Sequence, residues 1–256
     1  MSMPINHFKR AILAGELQLG LWAGLCSNIT VEVLGNSGFD WLLLDTEHSP
    51  NELPAVHSQL QAAAQGRAHP IVRPAWNDTV LIKRFLDIGV QTLLVPMVQN
   101  AEEARRAVAA MRYPPNGVRG FSVAARASDY GRVKDYARLC EAELCLLVQV
   151  ETPEALTNIE QIAAVDGVDG IFIGPGDLSA AMGYIGNATH PVVVAAIDAA
   201  IVRIVASGKA AGILTPDEAL ARHYMALGCS YVAVGSDIGI LARGAEALAA
   251  KFQSQK

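Results

Sequence analysis

Residues 170–183 read GIFIGPGDLSAAMG, an apolar run that meets Gly-Pro-Gly and stops on Asp177. The glycines suggest a phosphate loop, but that motif needs a Lys-Ser or Lys-Thr pair, which is absent. The carboxylate at the end of a buried run therefore calls for another use. Similar runs end in Asp45-Thr46-Glu47-His48, in Arg73 between Val72 and Pro74, and in Gln149-Val150-Glu151. In an extended segment Gln149 and Glu151 share one face, while Leu146, Val148 and Val150 take the other. Glu151 and Asp177 are then a candidate cation pair. Two carboxylates, with waters and substrate oxygens completing an octahedron, suit Mg²⁺ or Mn²⁺. Each could instead merely cap the helix that follows, and spacing alone leaves both readings open.

The remaining polar groups have a functional and a plain reading. Because the unperturbed pKa of histidine is near ~6.5, His48 is a usable base at neutral pH, or it is a surface histidine. Arg73 at the end of an inner strand needs an anion or polarised oxygen to offset its burial. Asp45 either orients His48 or caps the loop. Asp87 lies four residues after Lys83 on a helical pattern, where a surface ion pair is the plain reading. Trp22 and Leu214, at the ends of the first and seventh strands, either line an apolar pocket or belong to the core. A Schiff-base mechanism needs a lysine near a strand end. Lys83 and Lys134 lie in helical patterns, Lys209 opens a strand at its wrong end, and Lys9, Lys251 and Lys256 are terminal, so none qualifies.

Bringing these groups together is the work of the elements around them. Eight β-type runs occur at 17–25, 39–47, 69–76, 92–98, 144–151, 168–175, 209–215 and 230–237, with amphipathic stretches between them. In DTVLIKRFLDIG, Leu81, Phe85 and Ile88 fall on one helical face. Gly89, Gly208 and Gly228 follow helical patterns and precede strands, the signature of helix C-termini. Eight βα units in 256 residues predict an α/β fold, a single (β/α)₈ TIM barrel over 1–256. An open doubly wound sheet is the rival, but it lacks a Gly-x-Gly-x-x-Gly turn. A barrel gathers its chemistry at the C-terminal ends of the strands, where the polar clusters fall. One long connection, 114–131, follows the fourth helical pattern.

Apolar residues make up 52% of the chain, which suits parallel strands covered on both faces. A net charge of −5, with no basic run, argues against nucleic acid. Cys26, Cys140, Cys145 and Cys229 lack zinc spacing and read as buried thiols of a reducing cytoplasm. No apolar run is long enough to span a membrane or to serve as a signal peptide.

The stretches FDWLLLDTEHSP, IVRPAWND, TLLVPMVQNAEEA, RYPPNGVRG, VQVETPEA, GVDGIFIGPGDLSAAMGYIGN and YVAVGSD together resemble the class II, metal-dependent pyruvate aldolases. The resemblance covers nearly the whole chain, and the 4-hydroxy-2-oxoheptane-1,7-dioate aldolases are the nearest type. It implies a (β/α)₈ barrel whose last helix, here ILARGAEALAAKFQ, is exchanged between subunits of a homohexamer. It implies His48 as general base and Asp87, in place of Asp45, as the carboxylate that raises its basicity. Arg73 resembles the stabiliser of an enolate oxygen, Glu151 and Asp177 the ligands of Mg²⁺ or Mn²⁺ (with Co²⁺ a further choice), and Gln149 a substrate contact. The backbone at Gly174, Gly176 and Asp177 resembles the cradle of the pyruvate carboxylate. Phe121 stands where a smaller residue is expected, in a loop that helps to shape the aldehyde end.

The activity implied is reversible cleavage of a 4-hydroxy-2-oxo acid, such as 4-hydroxy-2-oxoheptane-1,7-dioate, to pyruvate and an aldehyde such as succinic semialdehyde. Trp22 and Leu214 are the apolar candidates for the aldehyde pocket. Alternatives are sugar-acid aldolases of the 2-dehydro-3-deoxyglucarate or 2-keto-3-deoxyrhamnonate type, a CoA-thioester lyase, and a non-catalytic barrel that binds 2-oxo acids. The CoA lyase requires a basic patch that the sequence lacks. A pure binder has no need of a base such as His48.

Overall fold

The computed structural model describes residues 2–253; Met1 and residues 254–256, Lys256 among them, lie outside the described residues. The strands are β1 (Gln18–Ala23), β2 (Trp41–Asp45), β3 (His69–Arg73), β4 (Thr92–Val95), β5 (Cys145–Val150), β6 (Gly170–Ile173), β7 (Ala210–Leu214) and β8 (Cys229–Ser236). The first six helices are α1 (His7–Leu13), α2 (Asn28–Leu34), α3 (Leu53–Ala63), α4 (Thr79–Asp87), α5 (Ala101–Met111) and α6 (Tyr136–Glu143). The rest are α7 (Pro153–Thr157), α8 (Ile159–Ala163), α9 (Pro175–Ala181), α10 (Pro191–Ala206), α11 (Glu218–Ala226) and α12 (Asp237–Gln253). The strands pair in parallel in chain order and β8 returns to β1, closing a (β/α)₈ barrel.

Period-two alternation sorts the strand residues into two cores. Trp22, Trp41, Leu43, Leu147, Phe172 and Tyr231 fill the barrel, and Phe8 of α1 packs against them from the strand-start end. Leu42, Leu44, Val72, Leu146, Val148 and Ile171 point outward beneath the helices. Two interior positions are glycine because a neighbouring ring occupies the space. A Cβ on Gly20 would collide with the Trp41 indole, and one on Gly212 with the Tyr231 ring.

Gly89, Gly208 and Gly228 follow α4, α10 and α11 with φ of +94°, +74° and +108°, the left-handed geometry that ends helices ahead of the next strand. Asp78 caps α4 by accepting from the Val80 and Leu81 amides. The buried face of α4 is Ile82, Phe85 and Leu86, while Leu81 and Ile88 are only partly buried. The apolar stripe is thus rotated about one residue from the Leu81–Phe85–Ile88 expectation.

The last helix does not cover the barrel. α12 buries only Asp237, and Ile240, Leu241, Leu248 and Phe252 are all exposed. No helix among the described residues is long and apolar enough to cross a membrane.

Candidate active site

The polar residues at the strand ends converge on the mouth of the barrel. Because β2 and β3 are in register at Asp45 and Arg73, the two side chains meet inside. Arg73 donates from Nε to Asp45 Oδ1 at 2.8 Å and from Nη2 to Oδ2 at 2.6 Å, a two-pronged pair shielded from water. Its third nitrogen, Nη1, lies 2.9 Å from Glu47 Oε2, and its guanidinium carbon is 5.3 Å from the centre of the Trp22 ring. Burial pushes the Asp45 carboxyl up, but the Arg73 hydrogen bond and charge outweigh it and hold it below its ordinary range. Asp45 is therefore committed to Arg73, and the reading in which it orients the His48 ring is corrected.

Glu151 follows β5 and is 1% exposed. Its Oε1 accepts from the Met97 amide at 2.9 Å and its Oε2 from Gln149 Nε2 at 2.5 Å. Burial raises its pKa, and the charge of Asp177 adds to the effect against those hydrogen bonds and Arg73. Asp177 sits exposed in the first turn of α9. The capping alternatives fail for both carboxylates. Gly174 is the N-cap of α9 with no side-chain bond, and Thr152 caps α7 by accepting from the Ala155 amide.

Gly174 serves the site through its missing side chain, since a Cβ there would strike Glu151 Oε2 and crowd Gln149. Gly176 has open space around it and is not required in that way.

Whether the pair suits a cation can be judged from the groups around it. A buried carboxylate with a raised pKa, a second carboxylate beside it and the unpartnered buried oxygen Gln149 Oε1 form an oxygen-rich set with an excess of negative charge. Among the described residues no three His, Cys, Asp or Glu side chains form a closed metal cage. The donor set is that of an open site, completed by water and substrate oxygens.

Trp22 and Leu214 both belong to the interior cluster, with Trp22 against Phe172 and beneath Arg73. They form the apolar floor of the mouth. His48 stands at the rim, its side chain 60% exposed and its Nε2 3.9 Å from Glu47 Oε2.

Asp87 does not join His48 within the chain. It ends α4, and its Oδ1 accepts from Arg119 Nη2 at 2.9 Å. The Lys83 surface-pair reading is corrected by the same contact. Phe121 is exposed and packs edge-on against Tyr113 at 5.5 Å. All four cysteines are free thiols; Cys140, Cys145 and Cys229 are buried as expected, whereas Cys26 is only partly buried. Lys209 donates to the Val168 carbonyl at the strand-start end, away from the mouth.

Three contributors carry no clear mark in the sequence or were passed over. Glu47 is one of them: burial pushes its carboxyl up to about 7, against the pull of Arg73 and with a further push from Glu151. It lies two residues after Asp45, and the alternation that paired Gln149 with Glu151 would have found it. Met97 offers its amide to Glu151 from a left-handed backbone, φ +53°, which nothing in its residue type signals. Arg119 is recognised only by where it is buried.

A cleft of about 910 Å³ opens at the other end of the barrel beside His7, Arg10, Arg67 and His69. It touches none of the strand-end carboxylates. The convergence of charged groups, and not cavity size, marks the mouth as the site.

Residues 18–244 match the profile of the HpcH/HpaI aldolase/citrate lyase family. Over 252 residues the chain is 60% identical to a pyruvate aldolase of Rhizobium etli, covering 98% of this chain and 99% of that protein. It is 58% identical over 252 residues to a 4-hydroxy-2-oxo-heptane-1,7-dioate aldolase of Salmonella paratyphi A, covering 98% and 96%. The crystal structure of an HpcH/HpaI aldolase/citrate lyase family protein from Burkholderia cenocepacia superposes with a TM-score of 0.93 at 35% identity, covering 97% and 99%.

Proposed function

The chain belongs to the HpcH/HpaI aldolase/citrate lyase family, and on that premise we propose that it is a carbon–carbon lyase that reversibly cleaves 4-hydroxy-2-oxo acids to pyruvate and an aldehyde. By likeness to its relatives, 4-hydroxy-2-oxoheptane-1,7-dioate is the leading substrate, with succinic semialdehyde as the aldehyde product. The observation that carries the reading is Glu151, a carboxylate buried beside Asp177 whose pKa stays raised despite two hydrogen bonds and the charge of Arg73, a cost that a bound cation would offset.

Members of this family are in general metal-dependent. Glu151 and Asp177 would hold the divalent cation, Mg²⁺ or Mn²⁺, whose contribution when bound is Lewis-acid polarisation of the 2-oxo group. The protein's own groups supply the rest. His48 takes the proton of the C4 hydroxyl, the C3–C4 bond breaks, and the electron pair comes to rest on the C2 oxygen. Arg73, fixed by Asp45 and Glu47 and stacked near Trp22, presents a guanidinium that cannot reorient as charge develops there. A proton returned to C3 completes pyruvate. Gln149 contacts the substrate, and the α9 amides near Gly176 and Asp177 face its carboxylate. Trp22 and Leu214 floor the aldehyde side.

His48 and Asp87 are separate within one chain, so any pair between them forms across subunits. The exposed apolar residues of α12 support an assembly in which this helix leaves its own barrel for a neighbour's, as in the hexamer expected from the family resemblance. The test of the function is exchange of deuterium from solvent into the pyruvate methyl group, with and without Mg²⁺ or Mn²⁺. Metal-dependent exchange is expected, and its absence removes the aldolase reading.

A further inference from the structure

Arg119 is a charged side chain enclosed in protein, 0% exposed. The turn that carries it is fastened to the end of α5: the Val118 amide donates to the Ala109 carbonyl and the Arg119 amide to the Arg112 carbonyl. Gly117 makes this possible, since a Cβ there would run into both carbonyl oxygens. The guanidinium lies 4.4 Å from the Tyr113 ring centre and close to the Tyr136 hydroxyl, while Nε and Nη1 make no well-formed hydrogen bond among the described residues. Its one carboxylate is Asp87, bonded through Oδ1 alone. A buried guanidinium needs a partner to offset its burial, and the bond to Arg119 holds Asp87 in place.

The Asp87 side chain is 27% exposed and borders a cleft of about 460 Å³ with Leu53, His57, Ser122, Arg126 and Tyr130. Its Oδ2 has no hydrogen bond among the described residues and is the oxygen left for an outside donor.

We propose that Arg119 is a positioning residue, holding the Asp87 carboxylate so that its second oxygen receives the imidazole N–H of the partner subunit's His48. This rests on the reading of His48 and Asp87 given above. Arg119 acts on the base through Asp87 and touches no substrate. Its positive charge also moderates the field that Asp87 exerts on the imidazole. The other titratable groups nearby are Tyr113, Tyr136 and Cys140 around the guanidinium, and His57 and Arg126 beside the carboxylate.

The test is the pH profile of kcat for methyl exchange in the metal-loaded enzyme. Arg119→Met leaves the negative charge of Asp87 unmoderated, which favours the imidazolium. The acid limb is expected to move to higher pH by about one unit. The loss of orientation lowers kcat roughly tenfold or more at constant KM. Arg119→Lys keeps the charge and loses the planar fork, so its limb stays in place while kcat falls. In the Asp87→Asn background, Arg119→Met should cost nothing further, because its route to the base is already gone.

If Asp87→Asn changes neither rate nor limb, the reading of Asp87 itself fails. If Asp87→Asn lowers the rate while Arg119→Met leaves limb and kcat unchanged, or adds an equal further loss in the double variant, the positioning role is overturned and the reading of Asp87 survives. Should Arg119→Met not fold, Arg119→Lys decides: a kcat equal to that of the unaltered enzyme overturns the proposal.

Discussion

Replacing Arg73 with methionine separates what the guanidinium does for the fold from what it does for the reaction. The side chain is matched in length, so packing against Trp22 is largely kept. The two bonds to Asp45, at 2.8 and 2.6 Å, and the contact with Glu47 are lost. Glu47 already titrates near about 7, and without Arg73 its carboxyl rises further and takes up a proton at neutral pH. Asp45 has no such escape until lower pH. Breaking one side of a buried pair costs about 3–5 kcal/mol, and a chain of this size then loses roughly 6 °C or more in Tm.

The sign with pH follows from Asp45. In the unaltered protein its folded pKa is depressed, so its stabilisation is present above the unfolded pKa and is lost as pH falls through the folded one. In the variant the stranded carboxyl is raised instead and harms stability when charged. The Tm deficit should therefore be larger near about pH 8 than near about pH 5. Asp45→Asn/Arg73→Met should recover most of the Tm while methyl exchange stays down by about 10²–10³-fold. Thermal denaturation at the two pH values, with exchange measured on both variants, is the assay. A pH-independent deficit, or exchange restored in the double variant, would refute the reasoning.

Gly174→Ala pushes a methyl against Glu151 and Gln149, so Mn²⁺ affinity by titration calorimetry should fall about 10–100-fold in a folded barrel. Glu47 has its folded pKa raised from 4.5 to about 7, so the folded state holds a proton that the unfolded chain releases between those values. Stability should fall as pH rises through that window and level off above it, and Glu47→Gln should flatten the slope in urea midpoints. Leu241→Glu/Leu248→Glu alters two side chains exposed in the chain itself, so light scattering should show a smaller assembly with the secondary structure intact. An unchanged mass would remove α12 from the subunit contacts.

The barrel was legible because its signals are local. Alternation in LCLLVQVE fixed which residues face inward, and glycines after α4, α10 and α11 marked the helix ends. The nearness of Glu151 and Asp177 was legible for the same reason, since strand alternation and parallel order bring the two carboxylates together. The partner of Asp87 was not, because helical spacing proposed Lys83 while the actual contact, Arg119, comes from a turn 32 residues onward. Of the two readings of Asp45, the loop cap is met by the Glu47 amide, while its main partner was not visible from either segment. Register across β2 and β3, invisible in either segment alone, gives it to Arg73. Errors thus fall where an ionic partner is chosen by tertiary position.

The charge pattern at the mouth explains why these residues need one another. Asp45, Glu47, Glu151 and Asp177 face a single guanidinium that is already spent on the first two. The remaining negative charge is left with Glu151 and Asp177, and Glu47 and Glu151 have raised pKa values chiefly because they are buried, with the neighbouring carboxylates adding to the effect. Burial alone would favour replacing such carboxylates with apolar residues of the same size. Keeping them so near the strand ends is what the proposed cation would require. On the proposed function, a divalent cation would answer the excess at Glu151 and Asp177, and it would leave Arg73, held by Asp45 and Glu47, to meet a developing oxyanion.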